Sequence, residues 1–351
     1  MRKFYFGILA LAALAACSKE EPIATSQGEE ITFSTFVGKA TRADEAADPS
    51  YNGTTAKLTE FRLWGTVQGA GDGMALVDIY KDDTVKGTVV GENSVWNCTT
   101  KTNYWIPTAK YNFAAIANAD VNVEGETSNS VVTLGEDLLP ETVTFTADGI
   151  TDLIYARPAE ITADENSDKV AFTFDHLLSK VKFTVNNTSY IDANNYAEGY
   201  SYVVKNIIIN GLTKGTCTLA DNTWSDTVAG ATVLKGEGTD DYADAIVVAD
   251  NDDKEVCVSE KLVIPTDVTV SFKLVRLVGG KEISIKSYIT ESHTLVAGHA
   301  YNFAVSVSAG NEIKFSVAAI NAWVIDDTDP NTEGVQDEKT LSYSEVTNQN
   351  N

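Results

Sequence analysis

Glu30-Ile31-Thr32-Phe33-Ser34-Thr35-Phe36-Val37 alternates with a period of two, Ile31, Phe33, Thr35 and Val37 falling on one face and Thr32, Ser34 and Phe36 on the other. Successive residues of an extended chain point to opposite sides, so this stretch reads as a strand whose inward side chains are Ile31, Phe33 and Val37. Runs of the same β-branched and aromatic character recur at Phe61–Val67, Ala75–Tyr80, Tyr111–Ala117, Val143–Thr146, Val170–Phe174 and Lys180–Val185. They continue at Val203–Ile209, Leu262–Ile264, Thr269–Val275, Ile283–Tyr288, Tyr301–Val307 and Ile313–Val317. Gly, Asn, Asp and Thr clusters punctuate them, and no stretch sustains a 3.6-residue period. The pattern predicts an all-β protein built of β-sandwiches.

The 351 residues carry 50 acidic and 26 basic side chains, a formal charge of −24. Such a surface repels nucleic-acid backbones and anionic lipid head groups, so no nucleic-acid partner is expected. Three histidines and four cysteines, widely scattered, form no metal or nucleophile–base pattern. No cofactor, no metal and no enzymatic activity are expected.

Arg2 and Lys3 precede the apolar stretch Phe4–Ala16, which is too short to span a bilayer and has the form of a signal peptide over residues 1–16. Leu14-Ala15-Ala16-Cys17 looks like a bacterial lipobox, which makes Cys17 the lipidated residue and the lipid the anchor to the outer membrane. Ser18-Lys19-Glu20-Glu21 is open to two readings, an acidic export signal to the cell surface or a solvated linker. Three cysteines remain after processing, Cys98, Cys217 and Cys257, so they cannot all pair internally. A Cys217–Cys257 bridge and buried free thiols are both open. Without a disulfide framework, stability rests on hydrophobic cores, and the chain is long enough for two.

The polar stretch Thr162–Asp168 after Arg157-Pro158 marks a boundary. The expected order is a signal peptide (1–16), a lipidated segment with the first strand (17–42), an N-terminal sandwich (43–160), a C-terminal sandwich (161–325) and a polar tail (326–351). The run Gly38–Pro49 is rich in small and polar residues and reads as an exposed loop, in which Lys39 or Arg42 offers a basic site to a trypsin-like protease; an ordinary linker is the plainer reading. Near the other end, Glu312-Ile313-Lys314-Phe315-Ser316 repeats the Glu-Ile-x-Phe-Ser of Glu30–Ser34. Two strands with equivalent apolar faces can occupy one groove. Ile313, Phe315 and Val317 are therefore candidate donor-strand residues, or else the last strand of the second domain.

Other signals are weaker. Gly69-Ala70-Gly71-Asp72-Gly73 lacks the lysine and helix of a phosphate loop and reads as a hairpin turn. Asp240, Asp241 and Asp244 with Asp250, Asp252 and Asp253 read as a solvated acidic loop in preference to a Ca²⁺ site. His176 reads as structural. Asp83-Thr84-Val85 and Asp226-Thr227-Val228 match a short pattern for O-glycans in Bacteroides-type bacteria, on Thr84 and Thr227.

Taken together, the lipobox at Cys17, the first strand with Lys39-Ala40-Thr41-Arg42-Ala43 behind it, Phe174–Phe183, Tyr301-Asn302-Phe303 and Ile313-Lys314-Phe315 through Trp323 resemble the fimbrillins, lipoprotein pilus subunits of the fimbrillin-like (Mfa-type) group. That resemblance implies two tandem transthyretin-like (Greek-key) β-sandwiches, exported as a lipoprotein precursor. It implies an arginine-specific protease cutting after Arg42, and a groove left by Ile31, Phe33 and Val37 that a strand of a neighbouring subunit fills. The expected function is a structural subunit of a surface pilus, assembled head to tail by strand exchange and contributing to adhesion. The alternative is a monomeric surface lipoprotein that binds a glycan or a host protein.

Overall fold

The computed structural model describes residues 29–37, 58, 60–71, 74–90, 93–118, 130–164, 169–187, 200–235, 256–278, 281–307, 313–320 and 339–346. Cys17, Lys39, Arg42, the acidic loop 236–255 and most of the tail lie outside them. Every element described is a strand. The first half carries β1 (Phe33–Val37), β2 (Glu60–Gln68), β3 (Leu76–Val90), β4 (Asn93–Cys98), β5 (Lys110–Asn118), β6 (Ser130–Leu134), β7 (Pro140–Thr146), β8 (Leu153–Ala156) and β9 (Ile161–Thr162). Then follow β10 (Val170–His176), β11 (Ser179–Asn187), β12 (Tyr200–Thr218), β13 (Thr223–Lys235), β14 (Val256–Val263), β15 (Asp267–Val278) and β16 (Lys281–Thr290). The last are β17 (His293–Thr294), β18 (Ala300–Val307), β19 (Ile313–Ile320), β20 (Lys339–Thr340) and β21 (Tyr343–Glu345).

The first sheet runs β2-β3-β4-β1-β10-β8-β5, and β5 pairs back onto β2 from Arg62↔Ile116 to Gln68↔Lys110. Seven strands therefore close into a barrel, where an open two-sheet sandwich was expected. The physical reason lies inside. Phe33, Phe61, Tyr80, Trp96, Trp105, Tyr111, Phe113, Phe172 and Phe174 all point into one core, and a small closed barrel is filled by side chains of this bulk. Two glycines make room for the rings: a Cβ on Gly65 would lie 2.9 Å from Phe113 and Tyr80, and one on Gly87 2.9 Å from Trp96.

The second half is a sandwich. One sheet has the order β14-β11-β18-β19-β20, the other β21-β16-β15-β12-β7-β6 with β13 beside β12. Val181, Phe183, Phe303, Val305, Phe315 and Val317 of the first sheet meet Ile207, Ile209, Val270, Phe272 and Tyr288 of the second in a common core. A third core ties the halves together. The outward residues Trp64, Ala114 and Ile116 of the barrel pack with Val143, Phe145, Leu177, Leu178, Cys217, Leu262 and Ile264.

The sheets do not part at residues 160/161. β9 pairs with β5, and β10 pairs with β1 and β8, so both belong to the barrel and the change of sheet falls at Leu177-Leu178. The hairpin β6–β7, earlier in the chain, joins the sandwich sheet instead through β7 and β12. The polar stretch after Arg157 looked like a linker, but the period-two face Val170, Phe172, Phe174 has its complement inside the barrel. The C-terminal region also departs from a purely polar tail. β20 extends the sheet edge at β19, β21 extends the other sheet at β16, and Leu341 between them is 2 % exposed in the sandwich core.

Candidate functional site

β1 sits at the seam of the barrel, between β4 and β10. It runs parallel to β10 over five residue pairs, from Phe33↔Val170 to Val37↔Phe174, but meets β4 at the single pair Phe33↔Trp96. Main-chain bonds anchor its leading end: the Ile31 amide donates to the Asn103 carbonyl, the Trp105 amide to Glu29 and the Val170 amide to Thr32, each at 2.9 Å. Ile31 and Phe33 are buried, at 3 % and 1 % exposure. The ring of Phe33 lies 5.8 Å from Tyr80, 6.0 Å from Phe172 and 6.4 Å from both Phe61 and Phe113. It occupies the middle of the aromatic core. Thr35 is on the same face, and its hydroxyl is buried without a hydrogen-bond partner among the described residues.

This geometry makes one strand of a closed ring separable in principle. β1 is at the N-terminal end of the described chain and is held by neighbours far away in sequence. Taking it out would leave β4 and β10 about 10 Å apart, two strand spacings. Two main-chain edges would then flank a trough lined by Phe61, Tyr80, Phe113 and Phe172.

A family profile decides what kind of protein carries this seam: the profile described as fimbrillin-like matches residues 41–323. The chain belongs to the fimbrillin-like family. Solved structures of low sequence identity resemble this fimbrillin-like chain. A candidate cell adhesion protein from Bacteroides uniformis is 17 % identical, with 84 % of this chain and 98 % of that one covered and a TM-score of 0.43. A candidate cell adhesion protein from Bacteroides ovatus is 15 % identical (86 % and 100 % covered, TM-score 0.48). A fimbrial assembly protein from Parabacteroides distasonis is 11 % identical (83 % and 96 % covered, TM-score 0.34). No curated protein matches the chain. Membership of the fimbrillin-like family supports a role as a pilus subunit at the cell surface, in association with other pilus subunits.

The other residues singled out in this fimbrillin-like sequence do not gather at the seam. Phe315 and Val317 of β19 are buried in the sandwich core, and β19 is paired on both sides, to β18 over eight residue pairs and to β20 over two. β19 is thus docked inside its own sandwich sheet, and it is not the last strand there, since β20 and β21 follow it. His176 is buried with its Nδ1 2.6 Å from Asp152 Oδ2, a polar strut that joins the end of β10 to the residue before β8. The neighbouring Ser179 hydroxyl donates to the Val296 carbonyl at 2.8 Å.

Thr84 is half-buried on β3, where its carbonyl accepts from the Thr99 amide and hydroxyl, while Thr227 is exposed on β13. Cys217 is a free, buried thiol, so it makes no bridge to Cys257; burial, with the nearby Asp221 charge, pushes it up to about 12. The segment at Gly69–Gly71 lies where β2 turns back onto β3, with Gln68 opposite Leu76. Among the described residues no group of three His, Cys, Asp or Glu side chains is placed to hold a metal ion. Sequence reasoning missed Thr35 as an uncomfortable residue, because a hydroxyl on an inward face is ordinary until its surroundings are known.

Proposed function

We propose that this chain is a pilus subunit made as a lipoprotein precursor anchored through Cys17, and that β1 is the removable strand whose loss opens it to assembly. The observation that carries this reading is the position of β1 in the barrel: a single ring strand that precedes Arg42 in the sequence, with Ile31 and Phe33 filling the core. Burial of those two side chains contributes about 3–6 kcal/mol. While the loop is intact, the attached strand competes at high effective concentration and the precursor stays closed. Cleavage after Arg42 ends that advantage, β1 leaves with the lipid, and the β4 and β10 edges accept a strand from the next subunit.

The buried Thr35 hydroxyl adds a thermodynamic bias. In Glu-Ile-x-Phe-Ser alignment, Thr35 corresponds to Val317, so a strand of the β19 type puts a methyl where β1 leaves a hydroxyl unpaired. Removing such an unpaired group is favourable by about 1–3 kcal/mol. Donation of Ile313, Phe315 and Val317 would require β19 to leave its own sandwich. The exchange therefore needs the sandwich core to be refilled, which limits it to a neighbour already docked. Head-to-tail repetition of the contact gives a filament.

The test treats purified precursor with an arginine-specific protease and follows its size. A ladder of multimers that is absent from the Arg42→Ala variant supports the reading. Clean cutting that leaves only monomers overturns it in favour of the monomeric surface lipoprotein.

A further inference from the structure

The Phe33 ring is seated in a cage of other rings. Three of its neighbours meet it edge to face, Phe61 at 89°, Tyr80 at 72° and Phe113 at 79°, and Phe172 lies tilted by 33°. Edge-to-face packing sets the positive rim of one ring against the negative face of another. An aliphatic side chain of equal size lacks that complementarity, and each such pair favours the aromatic about two- to tenfold beyond the area it buries.

The cage does not depend on β1 for its walls. Phe61, Tyr80 and Phe113 stand on β2, β3 and β5, which are laddered to one another from Glu60↔Lys86 to Gln68↔Leu76 and from Arg62↔Ile116 to Gln68↔Lys110. Phe172 stands on β10, which reaches β5 through β8. The walls also brace each other, with ring centroids 5.3 Å apart for Phe61 and Phe172 and 6.4 Å apart for Tyr80 and Phe113. Gly65 sets how two of them sit, since a Cβ there would lie 2.9 Å from both Phe113 and Tyr80 and force the rings to shift. Main-chain bonds then fix where a strand delivers its own ring. With the Ile31 amide on the Asn103 carbonyl and the Val170 amide on Thr32, a slip of one residue would turn the ring out of the core, and a slip of two would bring Ile31 or Thr35 to the cage.

We propose that this aromatic cage is the selective element of the groove at β1, and that a strand accepted there must carry a planar aromatic ring two residues after a β-branched aliphatic one, at the places of Phe33 and Ile31. The inference rests on the removable-strand reading and adds to it the chemistry of the incoming partner. A strand with valine or leucine at the ring position alternates just as regularly, but it leaves the four rings without their complement and a gap that the laddered walls resist closing. In the segment weighed as a donor, Phe315 two residues after Ile313 meets the requirement.

The experiment has two arms. In the uncut Phe33→Ala chain the cage is left without its ring, and benzene should bind there and raise the unfolding temperature, as an apolar guest fills an apolar cavity. Cyclohexane at the same concentration should bind at least about tenfold more weakly, and neither should shift the unmodified chain. This arm needs no proteolysis, so its outcome is independent of the removable-strand reading. The second arm adds labelled peptides of the sequence Glu29–Val37 to the chain cut after Arg42 and follows fluorescence anisotropy. The native sequence should bind in place of the cut segment. Peptides with Phe33→cyclohexylalanine, or with Ile31 and Phe33 exchanged, should each bind at least about tenfold more weakly. If Phe33→Ala fails to fold, the peptides decide alone. Equal binding of benzene and cyclohexane, a folded Phe33→Ala chain that takes up neither, or equal binding of the three peptides overturns the proposal and leaves the removable strand standing. Binding of no peptide overturns both.

Discussion

Replacing Phe33 with alanine removes a ring from the centre of the barrel core without touching its backbone ladder. The ring is 1 % exposed and has four aromatic neighbours with centroids between 5.8 and 6.4 Å away. Truncating a buried phenylalanine costs about 3–5 kcal/mol, and the figure is highest where the surroundings cannot collapse into the gap. Phe61, Tyr80, Phe113 and Phe172 project from strands of a closed ring, which resists contraction. We therefore expect a loss toward the upper end, about 4–5 kcal/mol.

Urea unfolding followed by tryptophan fluorescence is suited to the measurement, because Trp96 and Trp105 lie in the same core. Two controls bracket it. Ser34→Ala, on the outward face of β1, should change stability by less than about 0.5 kcal/mol. Phe315→Ala should cost about 3–5 kcal/mol through the sandwich core instead. A loss below about 1 kcal/mol for Phe33→Ala, or an equal loss for Ser34→Ala, would refute the view that β1 completes the core.

Other consequences are open to direct measurement. Thr35→Val removes the unpaired buried hydroxyl and should stabilise the precursor by about 1 kcal/mol while slowing release of β1 after cleavage, read by mass spectrometry of the freed segment. Asp152→Ala strips the partner from the buried His176 Nδ1 and should cost about 1–3 kcal/mol in the same unfolding assay, with Asp152→Asn losing less because an oxygen acceptor remains. Cys217, its thiol pushed up to about 12 by burial and the Asp221 charge, should stay unlabelled by iodoacetamide at pH 8 in the native state and react on unfolding.

Burial, assisted by Lys339 and opposed by Asp267 and Glu291, holds the His293 imidazole below its ordinary value. The unfolded chain then takes up a proton near pH 6.5 that the folded chain resists. Its contribution to stability is present above that pH and declines as the pH falls below it, and His293→Gln should flatten this part of the stability profile.

The strands with strong alternation were readable from residue types. Phe61–Val67, Tyr111–Ala117, Val170–Phe174 and Tyr301–Val307 fall within β2, β5, β10 and β18. β4, β6, β8 and β13 were not, since their runs are short or rich in small and polar residues. In β13, Ser225–Ala231 has no inward face to mark it, and what makes it a strand is the main chain of β12 alongside. At the seam, the inward placement of Ile31 and Phe33 was legible because a period of two assigns faces without knowledge of the partner strand.

Local pattern therefore determined that the chain is all β and which side of each strong strand is apolar, because alternation is a property of neighbouring residues. Which strands meet was decided only in three dimensions. Closure of β5 onto β2, the passage of β10 into the barrel and of β6–β7 into the sandwich, and the docking of β19 between β18 and β20 depend on pairings between distant segments. Glu-Ile-x-Phe-Ser occurs twice with the same faces, and β1 and β19 nonetheless fill different cores. A five-residue pattern specifies a face; the shape of the hole that receives it is built by all the other strands.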